Sequence, residues 1–171
     1  MSDRAIWRRA MTQDLGTFKK LWMEFLEDQY KKGGLVLPNK HNIDRAAEQF
    51  RAYVSGDVLG IVLFLNVNGE DVGVHMGGEM LGGLEFSIGR YTMLWGVYYR
   101  PEHKGKGYTH LLYQVMAEWL KKHGINGTVT SVLTGNATVT EVIAKVVDGK
   151  FGADNSKPYA VNLYWEFEEP S

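Results

Sequence analysis

The sequence predicts an α/β (α+β) domain: a mixed, mostly antiparallel twisted sheet of about six to seven strands flanked by about four helices. Three observations predict it. Two segments of helical apolar spacing precede an Asn68-Gly69 hairpin signal set between two β-rich apolar runs. After the hairpin, an apolar strand runs through a glycine loop into an amphipathic helix and then a further strand, residues 94–133. A helix joining two neighbouring strands demands that they be parallel, so the sheet is antiparallel first and parallel at its centre.

Taken in order, residues 4–11 are short and mixed and suit an edge strand. Thr12 is the expected N-cap of a first helix in which Leu15, Phe18, Trp22, Phe25 and Leu26 recur at helical spacing, ending near Gly33-Gly34. A loop over Leu35 to Asn39 follows, then a second helix capped by Asn42 with Ile43, Ala46, Ala47, Phe50 and Val54 on its buried face. Val58 to Val67 is almost continuously apolar and rich in Val, Ile and Phe, which reads as a strand covered on both faces. The hairpin returns it into Val72-Gly73-Val74-His75-Met76. The glycine-rich stretch Gly77 to Gly83 then suggests a bulge or a mobile loop beside a site.

The next strand is Leu94-Trp95-Gly96-Val97-Tyr98-Tyr99, and its helix starts near Tyr108-Thr109 and buries Leu111, Leu112, Val115, Met116, Trp119 and Leu120. Burial at roughly 1.5–3 kcal/mol per side chain is ample to hold the preceding loop rigid. Lys121-Lys122-His123 in the last turn and Gly124 after it close the helix as dipole and cap require. Val129 to Leu133 alternates with threonine and serine like a half-exposed strand. Thr138 and Glu141 form a capping box for a last helix through Val142, Ile143, Val146 and Val147, and Pro158 precedes a final strand, Tyr159 to Phe167.

With 171 residues, 44% hydrophobic and 23% charged, the chain reads as one domain over residues 1–171 with a proper core. A net charge of -1 argues against broad nucleic-acid or membrane binding. The absence of cysteine excludes disulfides, thiolate metal sites and a cysteine nucleophile. His103 and His110 flank the loop without a metal-ligand pattern, so no metal is expected. No stretch approaches the ~20 apolar residues of a membrane span, and the first residues lack a signal peptide's apolar run. A cytoplasmic location is the default expectation.

The chemistry is concentrated in the loop Arg100-Pro101-Glu102-His103-Lys104-Gly105-Lys106-Gly107. A glycine loop feeding a helix start leaves several backbone N–H groups aimed one way, with the helix dipole behind them. That arrangement takes a phosphate or pyrophosphate, and Lys104 and Lys106 add charge.

This order of elements and the stretch Lys104-Gly105-Lys106-Gly107-Tyr108-Thr109 resemble the GNAT superfamily of N-acetyltransferases. Lys104 occupies the place where members carry arginine or glutamine, and Asn136 matches a frequent family asparagine. The resemblance implies an acetyl-CoA-dependent transfer of acetyl to a primary amine by direct attack in a ternary complex. The acceptor would be an amine-bearing small molecule or protein, with no membrane or nucleic-acid partner and with room for a homodimer. Pantetheine would pair with backbone groups of Val97, Tyr98 and Tyr99, and the pyrophosphate would rest on the amides of Lys104, Gly105, Lys106, Gly107, Tyr108 and Thr109. A backbone N–H of the same strand would stabilise the oxyanion.

Two departures stand out. Thr109 replaces a small residue, and its hydroxyl is expected to donate to the phosphate instead. Ile143 lies near where many members place a proton-donating tyrosine. The position of the family's glutamate falls near Tyr91-Thr92, leaving Glu85, Glu79 and His75, or a water relayed through a hydroxyl, as candidate general bases. A catalytically inactive CoA-binding sensor or partner-binding module is the alternative reading.

Overall fold

The computed structural model describes residues 4–34, 36–79, 90–125, 127–133, 151–157 and 160–166. Strand β1 (Ala5–Arg9) pairs antiparallel with β2 (Gly60–Val67), β2 with β3 (Glu70–Glu79), and β3 with β4 (Tyr91–Tyr99). β4 runs parallel to β5 (Gly127–Leu133). A closing hairpin of β6 (Phe151–Lys157) and β7 (Ala160–Glu166) joins through β7, antiparallel to β5. The order across the sheet is β1-β2-β3-β4-β5-β7-β6, with β4–β5 as its parallel pair.

The hairpin between β2 and β3 turns through Asn68 at φ 53° and Gly69 at φ 96°, the two positive values that a tight primed turn requires. β2 is buried on both faces. Ile61, Leu63, Leu65 and Val67 join one apolar cluster, and Val62 and Phe64 join the other. Helix α1 (Leu15–Lys31) and helix α2 (Lys40–Ser55) pack on the second face through Phe18, Leu21, Trp22, Leu26, Ile43, Phe50 and Tyr53. Helix α3 (Tyr108–Lys122) covers the first face through Leu112, Met116, Trp119 and Leu120. The expected last helix, Thr138 through Val147, lies outside the described residues.

Several local expectations are corrected. Thr12 does not cap α1. It opens a 3-10 turn, Thr12–Asp14, because the Asp14 carboxylate accepts the Met11 N–H at 2.8 Å and pairs with Arg8 at 2.8 Å. α2 is capped by Asn39, whose side chain accepts from the Asn42 N–H at 2.9 Å, so Asn42 is the residue capped. β3 extends through Gly77 and Gly78 to Glu79, and β4 begins at Tyr91 rather than Leu94. β6 was not expected at all: Phe151-Gly152-Ala153-Asp154-Asn155-Ser156-Lys157 lacks apolar alternation, and it forms as the outer edge of the sheet, where a polar strand is tolerated.

The bulge expected near Gly77 is present, with its extra residue on the partner strand. Met76 faces Gly96 and Gly77 faces Leu94, so Trp95 has no opposite number. Glycines clear the surface around it. A Cβ on Gly60 or Gly78 would come within 2.1 Å of Tyr53, and one on Gly96 within 2.6 Å of Phe25. The two aromatic rings therefore lie directly on the sheet beside the bulge.

Candidate functional site

Two features meet along β4: an opening in the sheet and a glycine cradle at its end. β4 and β5 pair only from Tyr91–Gly127 to Leu94–Thr130. Past that point β4 continues on β3, while Ser131, Val132 and Leu133 of β5 continue on β7. The two parallel strands thus part at the Trp95 bulge, and residues 95–99 form one wall of the opening.

Strand alternation decides which backbone groups face it. The Arg100 N–H donates to the Val72 carbonyl at 3.0 Å, and the Tyr98 carbonyl lies 2.7 Å from where a Gly73 Cβ would stand. Residues 98 and 100 therefore turn their polar groups to β3, and Val97 and Tyr99 present theirs to the opening. Of the three residues expected to pair with pantetheine, Tyr98 has its backbone committed to β3, and its ring packs toward Phe25 on the α1 face.

Beyond Tyr99, a 3-10 turn over Pro101–His103 ends at Lys104, whose N–H donates to the Pro101 carbonyl at 3.1 Å. Gly105 and Gly107 follow at φ 76° and 79°, the left-handed region that favours glycine. A Cβ at either position would meet nothing within 4 Å among the described residues, which leave the cradle open. Gly107 is the N-cap of α3 and no side chain caps it. Among the described residues, the N–H groups of Gly105, Gly107, Tyr108 and Thr109 have no acceptor. Open space over unpartnered amides at a helix N-terminus is what a diphosphate fits.

Side chains lock the cradle from behind. The Tyr108 ring is buried, and its carbonyl accepts the Trp7 indole N–H at 2.9 Å, tying α3 to β1. Tyr108 thus offers a ligand only its N–H. The Thr109 hydroxyl is hydrogen-bonded to the Tyr99 hydroxyl, so its expected donation to phosphate requires Tyr99 to be the donor in that pair. Burial raises the Tyr99 pKa, which keeps that proton in place.

Lys104 is already engaged. Its ammonium lies 3.5 Å from the Asp28 carboxylate of α1, which also takes Lys32 at 2.6 Å. Partial burial pushes the Asp28 carboxyl up, yet the Lys32 hydrogen bond and the two nearby ammonium charges leave it below the usual range. Asp28 therefore draws on the positive charge offered at the cradle. If the cradle holds a diphosphate ligand, Asp28→Asn is expected to tighten its binding about two- to fivefold at low salt and to lose that gain at high salt, read by titration calorimetry.

α1 also supplies Glu24, which pairs with Arg100 at 3.1 Å and takes a weak bond from the Tyr98 hydroxyl at 3.4 Å. Burial and the Glu24 charge push Tyr98 up to about 12. Arg100 also reaches Glu70 at 2.7 Å, fastening β4's end to α1 and β3. At the bulge, Trp95 stands 53% exposed, and its indole N–H donates to the Tyr53 hydroxyl at 3.0 Å. Glu24, Asp28 and Tyr53 are not singled out by the sequence, and Arg100 only as the first residue of the loop. An i, i+4 acidic pair on α1, Glu24 and Asp28, was the available signal.

Of the candidate bases, Glu79 and His75 both lie on β3. Glu79 pairs with Arg90 at 2.7 Å, and Arg90 also donates to the His123 carbonyl at 2.9 Å, the end of α3 remote from the cradle. His75 is fully buried, with Nδ1 3.0 Å from the Gly96 carbonyl. Burial lowers its pKa to about 4, against the effect of that carbonyl. Glu85, Asn136 and Ile143 lie outside the described residues.

The sequence matches the Acetyltransferase (GNAT) family model over residues 15–145. The chain belongs to that family. No curated protein sequence matches it. Among solved structures, it is similar to PaiA N-acetyltransferase from Thermoplasma acidophilum in complex with coenzyme A, at 15% identity and TM-score 0.66, covering 98% of this chain and 100% of that one. An acetyltransferase from Thermus thermophilus gives 14% identity and TM-score 0.71 over 95% and 97%. The aminoglycoside N-acetyltransferase AAC(6′)-Iy in complex with CoA gives 13% identity and TM-score 0.66 over 86% and 89%. At these identities the likeness to solved structures is one of fold.

Proposed function

We propose that this GNAT-family protein transfers acetyl from acetyl-CoA to a primary amine, by direct attack within a ternary complex. The observation that carries the reading is the continuity of the opened β4 edge with the Gly105–Thr109 cradle. Pantetheine would extend the sheet against the Val97 and Tyr99 backbone, and its diphosphate would accept from the cradle amides, with Lys104 and Lys106 as point charges. The amine nitrogen then bonds to the thioester carbon, the C–S bond breaks, and the thiolate leaves with a proton. CoA complexes of similar folds support the donor, and the aminoglycoside-acetylating one supports an amine as acceptor.

Glu79, the last residue of β3, and Glu85 are the proposed bases that deprotonate the amine, directly or through water. His75 is not one: its buried neutral ring faces α3 and is a weak base.

The acceptor side is read from Trp95, the exposed indole beside the bulge, which donates to the hydroxyl of the buried Tyr53. An indole face there suits the carbon body or the ammonium of an incoming amine. Trp95→Ala is expected to raise the acceptor KM about three- to tenfold with little change in CoA affinity, as measured by initial rates over an acceptor titration.

A second reading, a CoA-binding protein without turnover, is favoured by the Arg90 pairing of Glu79 and the burial of His75. Thiol release from acetyl-CoA across a panel of small-molecule, peptide N-terminal and lysine amines tests both. Amine-dependent release with an acetylated product supports transfer, and tight CoA binding with no release from any amine supports the second reading.

A further inference from the structure

His75 holds the peptide unit on which the proposed chemistry turns. Its imidazole stands on the α3 face of the sheet, between Leu63 of β2 and Val97 of β4 in register. A carbonyl only accepts, so Nδ1 carries the proton toward Gly96 at 3.0 Å. The neutral ring leaves Nε2 as a buried lone pair without a partner among the described residues. A fully buried polar ring with one satisfied nitrogen is costlier than an apolar residue of the same size, so packing alone does not account for it.

Gly96 follows the extra residue Trp95, where the β3–β4 ladder is interrupted. It is glycine because a Cβ would come within 2.6 Å of the Phe25 ring. Gly96, in register with Met76, turns its carbonyl to β3 as Tyr98 does, and it is the last such residue before the bulge breaks the ladder. In a trans peptide the C=O and the following N–H point in opposite directions, and the chain has no cis bond among the described residues. With the Gly96 carbonyl held by His75, the Val97 N–H points away from β3, into the opening beside β5.

We propose that His75 is a positioning residue: by anchoring the Gly96 carbonyl, it aims the Val97 N–H at the carbonyl oxygen of a thioester bound along β4. The inference rests on the acetyl-CoA reading above. As the amine attacks, that oxygen gains negative charge, and a donor fixed in advance stabilises it without reorganising. The ring stays uncharged throughout and touches no reacting atom.

The test compares His75→Phe, which keeps a ring but has no donor, with His75→Gln, which keeps one. Each is titrated with acetyl-CoA carrying a labelled carbonyl, and the carbonyl stretch is read by difference infrared spectroscopy beside steady-state kinetics. Wild type is expected to show the stretch lowered on binding. His75→Phe should return it toward the free value and lower kcat about 10- to 100-fold, with acceptor KM and acetyl-CoA Kd within about threefold. His75→Gln should recover part of both. An unmoved stretch in His75→Phe with kcat within about threefold of wild type overturns the proposal. So does equal loss in both variants with KM rising in parallel, the mark of a packing role. Should His75→Phe fail to fold, His75→Met against His75→Gln makes the same comparison. If wild type binds no acetyl-CoA, it is the donor reading that falls; a shifted stretch in wild type that persists in the donor-less variant overturns the positioning role alone.

Discussion

Gly107→Glu is expected to abolish CoA binding, raising Kd by on the order of 100-fold or more, while the protein stays folded. Gly107 caps α3 at φ 79°, where an L side chain is strained by roughly 1–2 kcal/mol. That cost is small beside the electrostatic one. The new carboxylate would project over the amides of Gly105, Tyr108 and Thr109, where the diphosphate is expected, and place a negative charge against it. α3 is held by Leu112, Met116, Trp119 and Leu120, which are remote from the change, so circular dichroism and the melting profile should remain those of a folded protein. Gly107→Ala isolates the backbone strain and should bind CoA within a few-fold of wild type. Calorimetric titration of both variants decides the matter, and tight binding by Gly107→Glu would remove the cradle as the phosphate site.

Phe18→Ala is expected to lower stability by about 3–5 kcal/mol, the range for deleting a fully buried aromatic ring. Phe18 has no exposed surface and stacks on Trp22 at 5.3 Å and against Phe50 at 4.7 Å between centroids. It therefore locks α1 to α2 and both to the sheet. For a chain of this size the loss corresponds to a fall in Tm of roughly 6–20 °C. Because α1 also carries Glu24, Phe25 and Asp28 against the end of β4 and the cradle, the variant should weaken Arg100 fastening as well. A denaturant midpoint close to that of wild type would show that the site can collapse around the missing ring.

The glycine loop and the strand and helix that flank it are legible in the sequence because their signals are local. Two positive-φ glycines, a buried Tyr108 behind them and a helix with a continuous apolar stripe are all written within residues 94–124. The parallel β4–β5 pair followed from the crossover helix, and the Asn68-Gly69 turn from its own residue types. What was not legible depends on partners distant in sequence. Glu24 meets Arg100 across 76 positions, and Trp95 meets Tyr53 across 42. The Trp95 bulge is set by where β3 and β4 fall in register, which the glycines near residue 77 signalled without saying which strand carries the extra residue. β6 escaped notice because a polar edge strand has no apolar period to read. The neighbours of His75 in the chain make it a candidate base, whereas its burial and its Gly96 partner follow from the sheet.

The most direct test of the central claim is a crystal structure of the protein with CoA. The diphosphate oxygens are predicted to accept from the N–H groups of Gly105, Gly107, Tyr108 and Thr109, with pantetheine paired to Val97 and Tyr99 and the sulfur at the point where β4 and β5 part. A diphosphate bound away from the Gly105–Thr109 cradle, or a pantetheine arm lying off the β4 edge, would contradict it.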